Sequence, residues 1–400
     1  FRKIIINEII TKVIGNGENC SLFFLLKKFI MKILVFNWQD IKNPFGGGAE
    51  VHFHEIFSRI AQRGHEVTLF CSAFDGAQKR EEIDGIKILR KGGRNFFNFF
   101  VPLYYKKYFR HQHFDVVVDD INKIPFYTPL FVREPLVGII HHLFGKSIFL
   151  EAGIIPASYV ALAEKLLPFV YKKTPMMIVS QSTADELEAL GFARDNFSFV
   201  YNCVDHNKFK QTGIAKSSTP LIGFLGRLKK YKSVEHALQA FALVKKEIPD
   251  VQFLLVGDGD YKMELEKYTA SLQLQNAVHF TGFVSEEEKV TLLQQMHVVV
   301  QPSAKEGWGL TVVEANACGV SCIASNVQGL REAVVNGETG LLYEYGNIQQ
   351  LAEKILLVLK NETMRTTLEI NALAWAKKFD WERSADAAIE TMERSIRMKK

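Results

Sequence analysis

The sequence predicts an α/β protein made of two Rossmann-like domains that face each other across a cleft, followed by a helical C-terminal tail. The chain has 400 residues and a mass of 45.5 kDa, which is too long for one compact core. Short β-branched or apolar runs alternate with amphipathic helical patterns, as in parallel sheets covered by helices. The polar stretch 205–220 interrupts this alternation and is interpreted as the linker.

The first domain is predicted over residues 31–205. Its strands are predicted at residues 33–36, 67–71, 86–89, 116–118, 137–140, 177–179 and 197–200. Between the first two strands, apolar residues recur with the i, i+3, i+4, i+7 spacing of a buried helix face, at Phe53, Ile56, Phe57 and Ile60. Gly64 stands where the C-terminal cap of that helix belongs.

The second domain is predicted over residues 206–378, and a helix over residues 379–400. The predicted strands lie at residues 221–225, 251–256, 278–280, 298–300, 322–324 and 340–343. Ser233 is the predicted N-cap of the first helix, and Ser285 with Glu288 forms a predicted capping box. Purely helical periodicity covers residues 351–398, which predicts the tail.

Residues 1–30 are interpreted as an extension, because Met31-Lys32 opens a clean strand pattern and Met31 is a candidate for the natural start. The apolar run 22–26 is interrupted by Lys27 and Lys28, so it predicts no transmembrane helix. No small-residue cleavage site follows it, which argues against a signal peptide.

The composition is that of an ordinary globular chain. Hydrophobic residues make up 48% and charged residues 23%, which excludes a disordered or fibrous protein. A formal net charge of +5 is too small to predict nucleic-acid binding. The five cysteines form an odd set, which favours a reducing cytosol, and Cys318 and Cys322 lack the further ligands of a zinc site.

The positive charge is concentrated in residues 85–114, which contain no acidic residue. This stretch holds seven cations, Lys87, Arg90, Lys91, Arg94, Lys106, Lys107 and Arg110. It also holds many aromatic rings, of which about half are expected to be core. Cations interleaved with aromatic rings suit an anionic membrane surface or a lipid-linked acceptor, so we predict peripheral membrane contact here.

The segment after the predicted strand 298–300 suits a ligand with phosphates and hydroxyls. Glu306 precedes a helix that contains Glu314, and Gly307 and Gly309 bare the backbone at the helix start. Free N–H groups at a helix N-terminus hold phosphate, whereas carboxylates accept hydrogen bonds from hydroxyls. A nucleotide sugar has both kinds of group, although a solvated loop and helix would give the same spacing.

Three further segments lie at predicted strand ends, where open α/β sheets bind ligands. Gly226 precedes Arg227 and the downstream Lys232, and such cations suit a departing diphosphate. Lys229 and Lys230 leave the register of the second cation open. Gly47 and Gly48 permit close approach of a substrate, and His141-His142 ends the strand 137–140.

The run from Pro302 to Gly319 resembles the E-x7-E signature of retaining glycosyltransferases of family four, which have the GT-B fold. The resemblance implies that Glu306 contacts the hydroxyls of the donor sugar and Glu314 the ribose diol, beside Gly307, Trp308 and Gly309. It implies that Arg227 and Lys232 bind the diphosphate.

The same resemblance assigns further residues. It places Gly47 and Gly48 against the donor phosphate and the acceptor, and His141 near the reacting carbon. His142 replaces an aspartate that is frequent in the family, which leaves the division of labour between the two histidines open. Asn202 begins an Asn-Cys-Val-Asp segment similar to the Asn-Gly-Val-Asp of the family, and Gly257 either edges the nucleotide base or forms a tight turn.

The expected activity is therefore retaining, metal-independent transfer of a hexosyl group from a UDP- or GDP-sugar, without a cofactor. The expected acceptor is a hydroxyl of a glycan, a glycolipid or a lipid-linked molecule, in cell-surface polysaccharide or glycolipid biosynthesis. The expected location is the cytoplasm or the inner face of the membrane. A nucleotide-sugar epimerase or phosphorylase of the same fold, and a non-catalytic sugar-nucleotide-binding protein, remain as alternatives.

Overall fold

A computed structural model describes residues 30–122, 124–145, 148–151 and 153–399. The predicted extension therefore lies almost wholly outside the described residues. Within these ranges the chain forms two β-sheets covered by helices, so the predicted fold class is confirmed. No helix in the described ranges has the length and apolar character that crossing a bilayer requires.

The first sheet lies in the N-terminal half and has the strand order β3-β4-β2-β1-β5-β6-β7-β8. Its strands are β1 (Lys32–Phe36), β2 (Glu66–Cys71), β3 (Arg80–Ile83), β4 (Ile86–Arg90), β5 (Val116–Ile121), β6 (Leu136–Ile140), β7 (Met176–Ile178) and β8 (Phe197–Phe199). All described pairings are parallel except that of β3 with β4. Strand β1 is buried along four of its five residues, as expected for a strand covered by helices on both faces.

Strand β3 was not predicted. Its sequence is charged, with one apolar residue in four, so it lacks the apolar pattern that identified the other strands. The sequence did contain a hairpin signal, the Asp-Gly pair at residues 84 and 85. Both residues adopt positive φ and form the two-residue turn between β3 and β4.

The helices of this half are α1 (Gly48–Gln62), α2 (Phe97–Tyr104), α3 (Ile148–Glu151), α4 (Ile154–Val170) and α5 (Gln181–Ala189). Helix α1 buries the predicted apolar face against the sheet, and Gly64 follows it with φ +99°. Helix α2 continues into a π-helical turn, Tyr105–Phe109. The α2 region and α4 expose many large apolar side chains.

The second sheet has the strand order β11-β10-β9-β12-β13-β14, and its described pairings are parallel. Its strands are β9 (Leu221–Leu225), β10 (Gln252–Val256), β11 (Val278–Gly282), β12 (Val298–Gln301), β13 (Cys322–Ser325) and β14 (Gly340–Tyr343). The covering helices are α6 (Val234–Glu247), α7 (Lys262–Ser271), α8 (Glu286–Gln295), α9 (Leu310–Ala317), α10 (Leu330–Ala333), α11 (Ile348–Lys360) and α12 (Glu362–Ala376).

The two predicted N-caps differ. Ser285 accepts a hydrogen bond from the backbone N–H of Glu288 at 3.1 Å, so its side chain caps α8. Ser233 occupies the N-cap position of α6 with φ +50° and makes no side-chain cap; its hydroxyl instead contacts that of Tyr345 at 3.0 Å. A non-glycine residue in the left-handed region is uncommon, and this one follows directly on Lys232.

The last helix, α13 (Trp381–Lys399), belongs in sequence to the second half but packs against α1 and the strands of the first sheet. It buries Trp381, Ala385, Ala388 and Met392 there. The tail therefore completes the first domain.

The cysteines of the described ranges, Cys71, Cys203, Cys318 and Cys322, are buried and free.

Candidate active site

The centre of the second sheet holds the predicted donor residues. Strands β9 and β12 are neighbours there although they are distant in sequence, and such switch points are where open α/β sheets bind ligands. Lys232 follows β9 and Glu306 follows β12, and the Lys232 Nζ lies 2.5 Å from the Glu306 Oε1. The buried Ser303 hydroxyl donates to the same carboxylate oxygen at 2.7 Å.

Lys232 is buried, with only 8% of the residue exposed. Burial lowers the pKa of Lys232, but the charges of Glu306 and Tyr231 and the hydrogen bonds to both together outweigh burial and raise the pKa above its usual value. The ammonium therefore stays charged and is held in one place. Sequence left Lys229, Lys230 and Lys232 as alternatives, and the structure places Lys229 on the surface, paired with Asp260 at 2.5 Å.

Glu314 lies inside α9 and is also paired with a lysine. Its Oε1 accepts from Lys289 Nζ of α8 at 3.0 Å. Burial raises the pKa of Glu314, and Lys289 opposes the increase. Lys289 was not identified from sequence, since it lies on a different helix and meets Glu314 through the tertiary fold.

Arg227 is exposed, follows β9 of the second sheet and reaches across the cleft to the first domain. Its guanidinium donates a hydrogen bond to the carbonyl of Gly46, in the glycine loop before α1. A Cβ on Gly47 would approach the Arg227 guanidinium to 2.4 Å, so a side chain at this position would displace the guanidinium. Gly48, in contrast, faces open space. Arg227 and the glycine loop are therefore in contact with each other. Both were predicted from sequence to contact the diphosphate.

A buried polar network supports the glycine loop from the first sheet. Glu50 Oε2 accepts from the backbone N–H of Gly47 at 2.6 Å, and its Oε1 accepts from Asn122 at 2.9 Å. Asn37 donates to Asp120 Oδ2 at 2.8 Å, and the Oδ1 of that carboxylate lies 3.0 Å from His141 Nε2. Strands β1, β5 and β6 are adjacent, so their carboxyl ends bring these residues together.

The two predicted histidines are joined by a third. The His52 ring, from α1, packs edge-on against His141 with centroids 4.9 Å apart, and His52 Nε2 lies 2.9 Å from the carbonyl of Val200. Burial, with the charge of His141, lowers the pKa of His52 to about 3. Burial lowers the pKa of His141 to about 4 against the opposing charge of Glu50, and lowers that of His142 to about 4. These rings are neutral at neutral pH.

The loop that carries Glu306 touches the first domain. A Cβ on Gly307 would lie 3.1 Å from the carbonyl of His141 and 3.3 Å from His142 Nδ1. Lys305 Nζ donates to the carbonyl of Leu143 at 2.6 Å and pairs with Glu186 at 2.9 Å. The predicted donor and acceptor sides are therefore in contact at the histidine pair.

A second contact between the domains is made by Glu332 of α10. Its carboxylate accepts from the backbone N–H groups of Gln181 and Ser182, at 2.6 and 2.7 Å, in the first turn of α5. A carboxylate at a helix N-terminus is favoured by the helix dipole. This contact was not predicted, because a lone glutamate in a short helix carries no sequence signal.

The remaining predicted residues are placed differently. The Trp308 ring is buried between Tyr201 and Phe379, with centroids at 5.3 and 5.0 Å, so its predicted role in substrate binding stays a prediction. Asn202 follows Tyr201 in sequence and is buried. Its Oδ1 has no hydrogen-bond partner among the described residues.

Two glycines of the predicted site are required by the backbone. Gly257 has φ +135°, and a Cβ there would lie 2.1 Å from the carbonyl of Gly226, so the loops after β9 and β10 pack backbone to backbone. Gly309 has φ +98° at the start of α9. Among the residues described, no group of three or more His, Cys, Asp or Glu side chains is arranged to hold a metal ion.

Two family models match successive parts of the chain. The model for glycosyltransferase family 4 matches residues 46–208, and the model for glycosyl transferases group 1 matches residues 205–375. Together they cover residues 46–375, which include every predicted site residue and every described strand except β1. The chain belongs to glycosyltransferase family 4.

The curated relatives agree with this family. The chain is 31% identical over 199 residues to an N-acetyl-α-D-glucosaminyl L-malate synthase of Bacillus anthracis, covering 48% of the chain and 51% of that relative. It thus spans about half the length of that protein. An uncharacterized glycosyltransferase of Methanocaldococcus jannaschii is 24% identical over 92% of the chain and 99% of its own length.

Solved structures support the GT-B fold of this family 4 member. Sucrose-phosphate synthase of Thermosynechococcus elongatus has a TM-score of 0.77 at 19% identity, covering 91% of this chain and 98% of that one. The Anabaena protein HepE, solved in complex with UDP and glucose, has a TM-score of 0.73 at 22% identity, covering 91% and 100%.

The histidine cluster of this family 4 chain gives a prediction for stability. Between about pH 4 and pH 6 the unfolded chain protonates His52, whose ordinary pKa is 6.5, whereas the folded chain does not. His52 therefore makes stability rise with pH in this window, by about 1.4 kcal/mol per pH unit. We expect His52→Gln, which retains a donor for the Val200 carbonyl, to reduce the slope by that amount. The measurement is the free energy of unfolding by urea at several pH values; parallel curves for the two proteins would contradict the assignment.

Proposed function

We propose that the protein is a retaining glycosyltransferase that moves a hexosyl group from a nucleoside-diphosphate sugar to a hydroxyl acceptor. We further propose that it acts in the synthesis of a cell-surface polysaccharide or glycolipid. The single observation that carries the proposal is the largely buried Lys232–Glu306 pair at the switch point of the second sheet. Membership of family 4 and the UDP found in the HepE structure support the same donor class.

The chemistry proposed for this pair follows from where charge develops. When the anomeric C–O bond breaks, its electron pair remains on the diphosphate, whose negative charge grows. Lys232 and Arg227 are fixed cations that stabilise this charge without reorganising, and such preorganised groups lower a transition state most effectively. Glu306 then accepts hydrogen bonds from the sugar hydroxyls and keeps the Lys232 ammonium in place.

The acceptor is proposed to enter from the first domain. Its hydroxyl oxygen bonds to the anomeric carbon on the face that the diphosphate leaves, which retains the configuration, and its proton passes to a diphosphate oxygen. The neutral His141 ring is held by Asp120 and lies beside the Glu306 loop. In this proposal, His141 orients the reacting hydroxyls and keeps a neutral environment for the oxocarbenium-like sugar.

A panel of UDP- and GDP-sugars tests the proposal, with release of nucleoside diphosphate as the measurement. We expect release from one donor to be raised at least tenfold by a mixture of glycan and lipid-linked acceptors. Because Arg227 and Lys232 are assigned the neutralising charge, we also expect EDTA to leave the rate within a factor of two. Donor conversion without acceptor would identify an epimerase or phosphorylase instead, and tight UDP binding without turnover a binding protein.

We also propose peripheral membrane contact, through a wider surface than residues 85–114 alone. Around α2 the exposed apolar side chains are Phe96, Phe99, Phe100 and Leu103, and on α4 they include Ile154, Ile155, Leu166 and Phe169. Phe99 stacks on Tyr159 of α4 at 6.2 Å, so the two helices present one apolar surface. An exposed apolar surface of this extent is typical of an interaction site.

One of the seven cations predicted to form this surface does not belong to it. Arg90 is buried and pairs bidentately with Asp40, at 2.7 and 2.9 Å, so it offers no charge to a membrane. Lys106, Lys107 and Arg110 are exposed and remain, and Lys172 and Lys173 follow α4. Four rings of the stretch are core as expected, namely Phe97, Tyr105, Phe109 and Phe114.

Vesicle binding tests this contact. At low salt we expect vesicles containing acidic phospholipid to co-sediment the protein, and neutral vesicles or 0.5 M salt to reduce the bound fraction severalfold. Because Phe99 and Phe169 are exposed, Phe99→Ser with Phe169→Ser is expected to reduce binding without altering the fold. The exposed Phe283 of the second domain, replaced in the same way, is the control. Equal sedimentation of both variants would contradict the assigned surface.

A further inference from the structure

A cavity of about 630 Å³ lies in the first domain between α4 and α5, outside the cleft described above. Its walls are mainly hydrocarbon, from Leu143, Phe149, Ala161, Leu162 and Leu190. Its volume is that of a typical small-molecule site. A sugar ring carries a hydroxyl on almost every carbon and would leave those groups unpaired against such walls, so the cavity suits a hydrocarbon group.

The cavity adjoins the catalytic cleft. Leu143 follows the histidine pair directly in sequence, and its carbonyl accepts from Lys305, the neighbour of Glu306. Lys305 also pairs with Glu186 on the cavity wall. Helix α3, which contributes Phe149, lies beside the turn Lys230–Lys232 of the second domain. The cavity therefore lies next to residues that border the cleft.

Two carboxylates and one ammonium line the cavity, and they differ in whether a neighbouring group binds them. Glu164 accepts from the backbone N–H groups of Phe144 and Gly145, at 2.5 and 2.9 Å, and Glu186 is neutralised by Lys305. Lys165 is exposed at the rim, and no described residue pairs with its ammonium. The rim thus offers one uncompensated positive charge, which suits a phosphate.

The cavity also continues into the exposed apolar surface of α4. Leu162 lines the cavity and is itself 57% exposed, and Leu166 lies one turn further along the same helix. A hydrocarbon chain longer than the cavity therefore continues over apolar surface and not into water.

From these observations we propose that the cavity holds the hydrocarbon chain of a phosphate-linked lipid acceptor, with the phosphate at Lys165 and the acceptor sugar in the cleft. This inference rests on the proposed function and narrows its acceptor class to lipid phosphates.

The test uses n-butyl and n-octyl phosphate as probes, with binding to the full chain measured by calorimetry below micellar concentrations. Each buried methylene is expected to tighten binding about fourfold. Ala161→Trp fills the cavity and is expected to raise the Kd of octyl phosphate at least tenfold. Ala193→Trp, at an exposed position beyond α5, is the matched control and is expected to change it less than twofold.

Lys165→Gln tests the phosphate site with a surface substitution that does not threaten folding. We expect it to weaken octyl phosphate about fivefold or more and to leave uncharged octyl glucoside within twofold. UDP affinity is measured in parallel and is expected to be unchanged in all three variants. If wild-type protein binds UDP but not octyl phosphate, or if Ala161→Trp binds octyl phosphate normally, this inference is overturned. If wild-type protein binds no nucleoside diphosphate, the proposed function itself fails.

Discussion

Glu306→Ala is expected to lower kcat/KM for glycosyl transfer by about 100- to 1,000-fold, the size of effect seen when one preorganised polar group is removed from a reacting centre. Two contributions are lost together. The sugar hydroxyls lose their acceptor, and the Lys232 ammonium, which Glu306 holds at 2.5 Å, loses its counter-charge in a buried place. The measurement is the initial rate at subsaturating donor.

The same change separates catalysis from stability when two variants are compared. Removing one partner of a largely buried pair is costly, so Glu306→Ala is expected to lower the free energy of unfolding as well. Glu306→Gln keeps the oxygen that accepts from Ser303 and is expected to be the more stable variant, while remaining impaired at least tenfold in transfer. Glu247→Ala removes the partner of Lys360 in an exposed pair and serves as the control, with activity within twofold. Wild-type transfer by Glu306→Ala would overturn the site.

Arg227→Ala is expected to lower transfer by about 100-fold or more while leaving the unfolding transition nearly unchanged. The guanidinium is exposed and, among the residues that the structure describes, its hydrogen bond to the other domain is to the glycine loop, so little packing is lost. Its charge is lost where the diphosphate departs, so the effect is expected mainly in kcat. Arg227→Lys is expected to recover part of the rate, because a lysine restores the charge but not the planar bidentate donors.

Lys229→Ala is the matched control for Arg227→Ala. Lys229 lies two residues away on the same loop, and its charge is already taken by Asp260 at the surface. We expect its transfer rate to stay within a factor of two of wild type. Equal losses in the two variants would mean that the general positive potential of the loop matters and not a specific contact of Arg227.

Most of the fold was predictable because buried parallel strands appear in the sequence as short apolar runs. That rule also explains the failure at β3, whose edge position lets it carry charges and whose partner is only β4. The sheet on which α13 packs was not predictable either. Its amphipathic pattern shows that one face is buried, but not which of the two sheets covers it.

The candidate site was predictable where the chain itself fixes the position, at the carboxyl ends of strands. Glu306 and His141 are such residues. Partners supplied by packing were not predictable: Lys289 reaches Glu314 from another helix, and His52 lies on an apolar helix face where its ring resembles any other buried residue. The packing of Trp308 was also not predictable, since a residue inside a binding motif can place its ring in the core, here between Tyr201 and Phe379.

Because α13 packs on the first sheet, cleavage of the chain at one position cannot separate the two domains into complete units. A fragment ending in the linker would leave the side chains that contact Trp381 and Met392 bare, and a fragment beginning there would carry an amphipathic helix with nothing to cover. Two connections, one at residues 205–220 and one near Phe379, therefore run between the halves. Any relative movement of the lobes must therefore be accommodated at both connections at once.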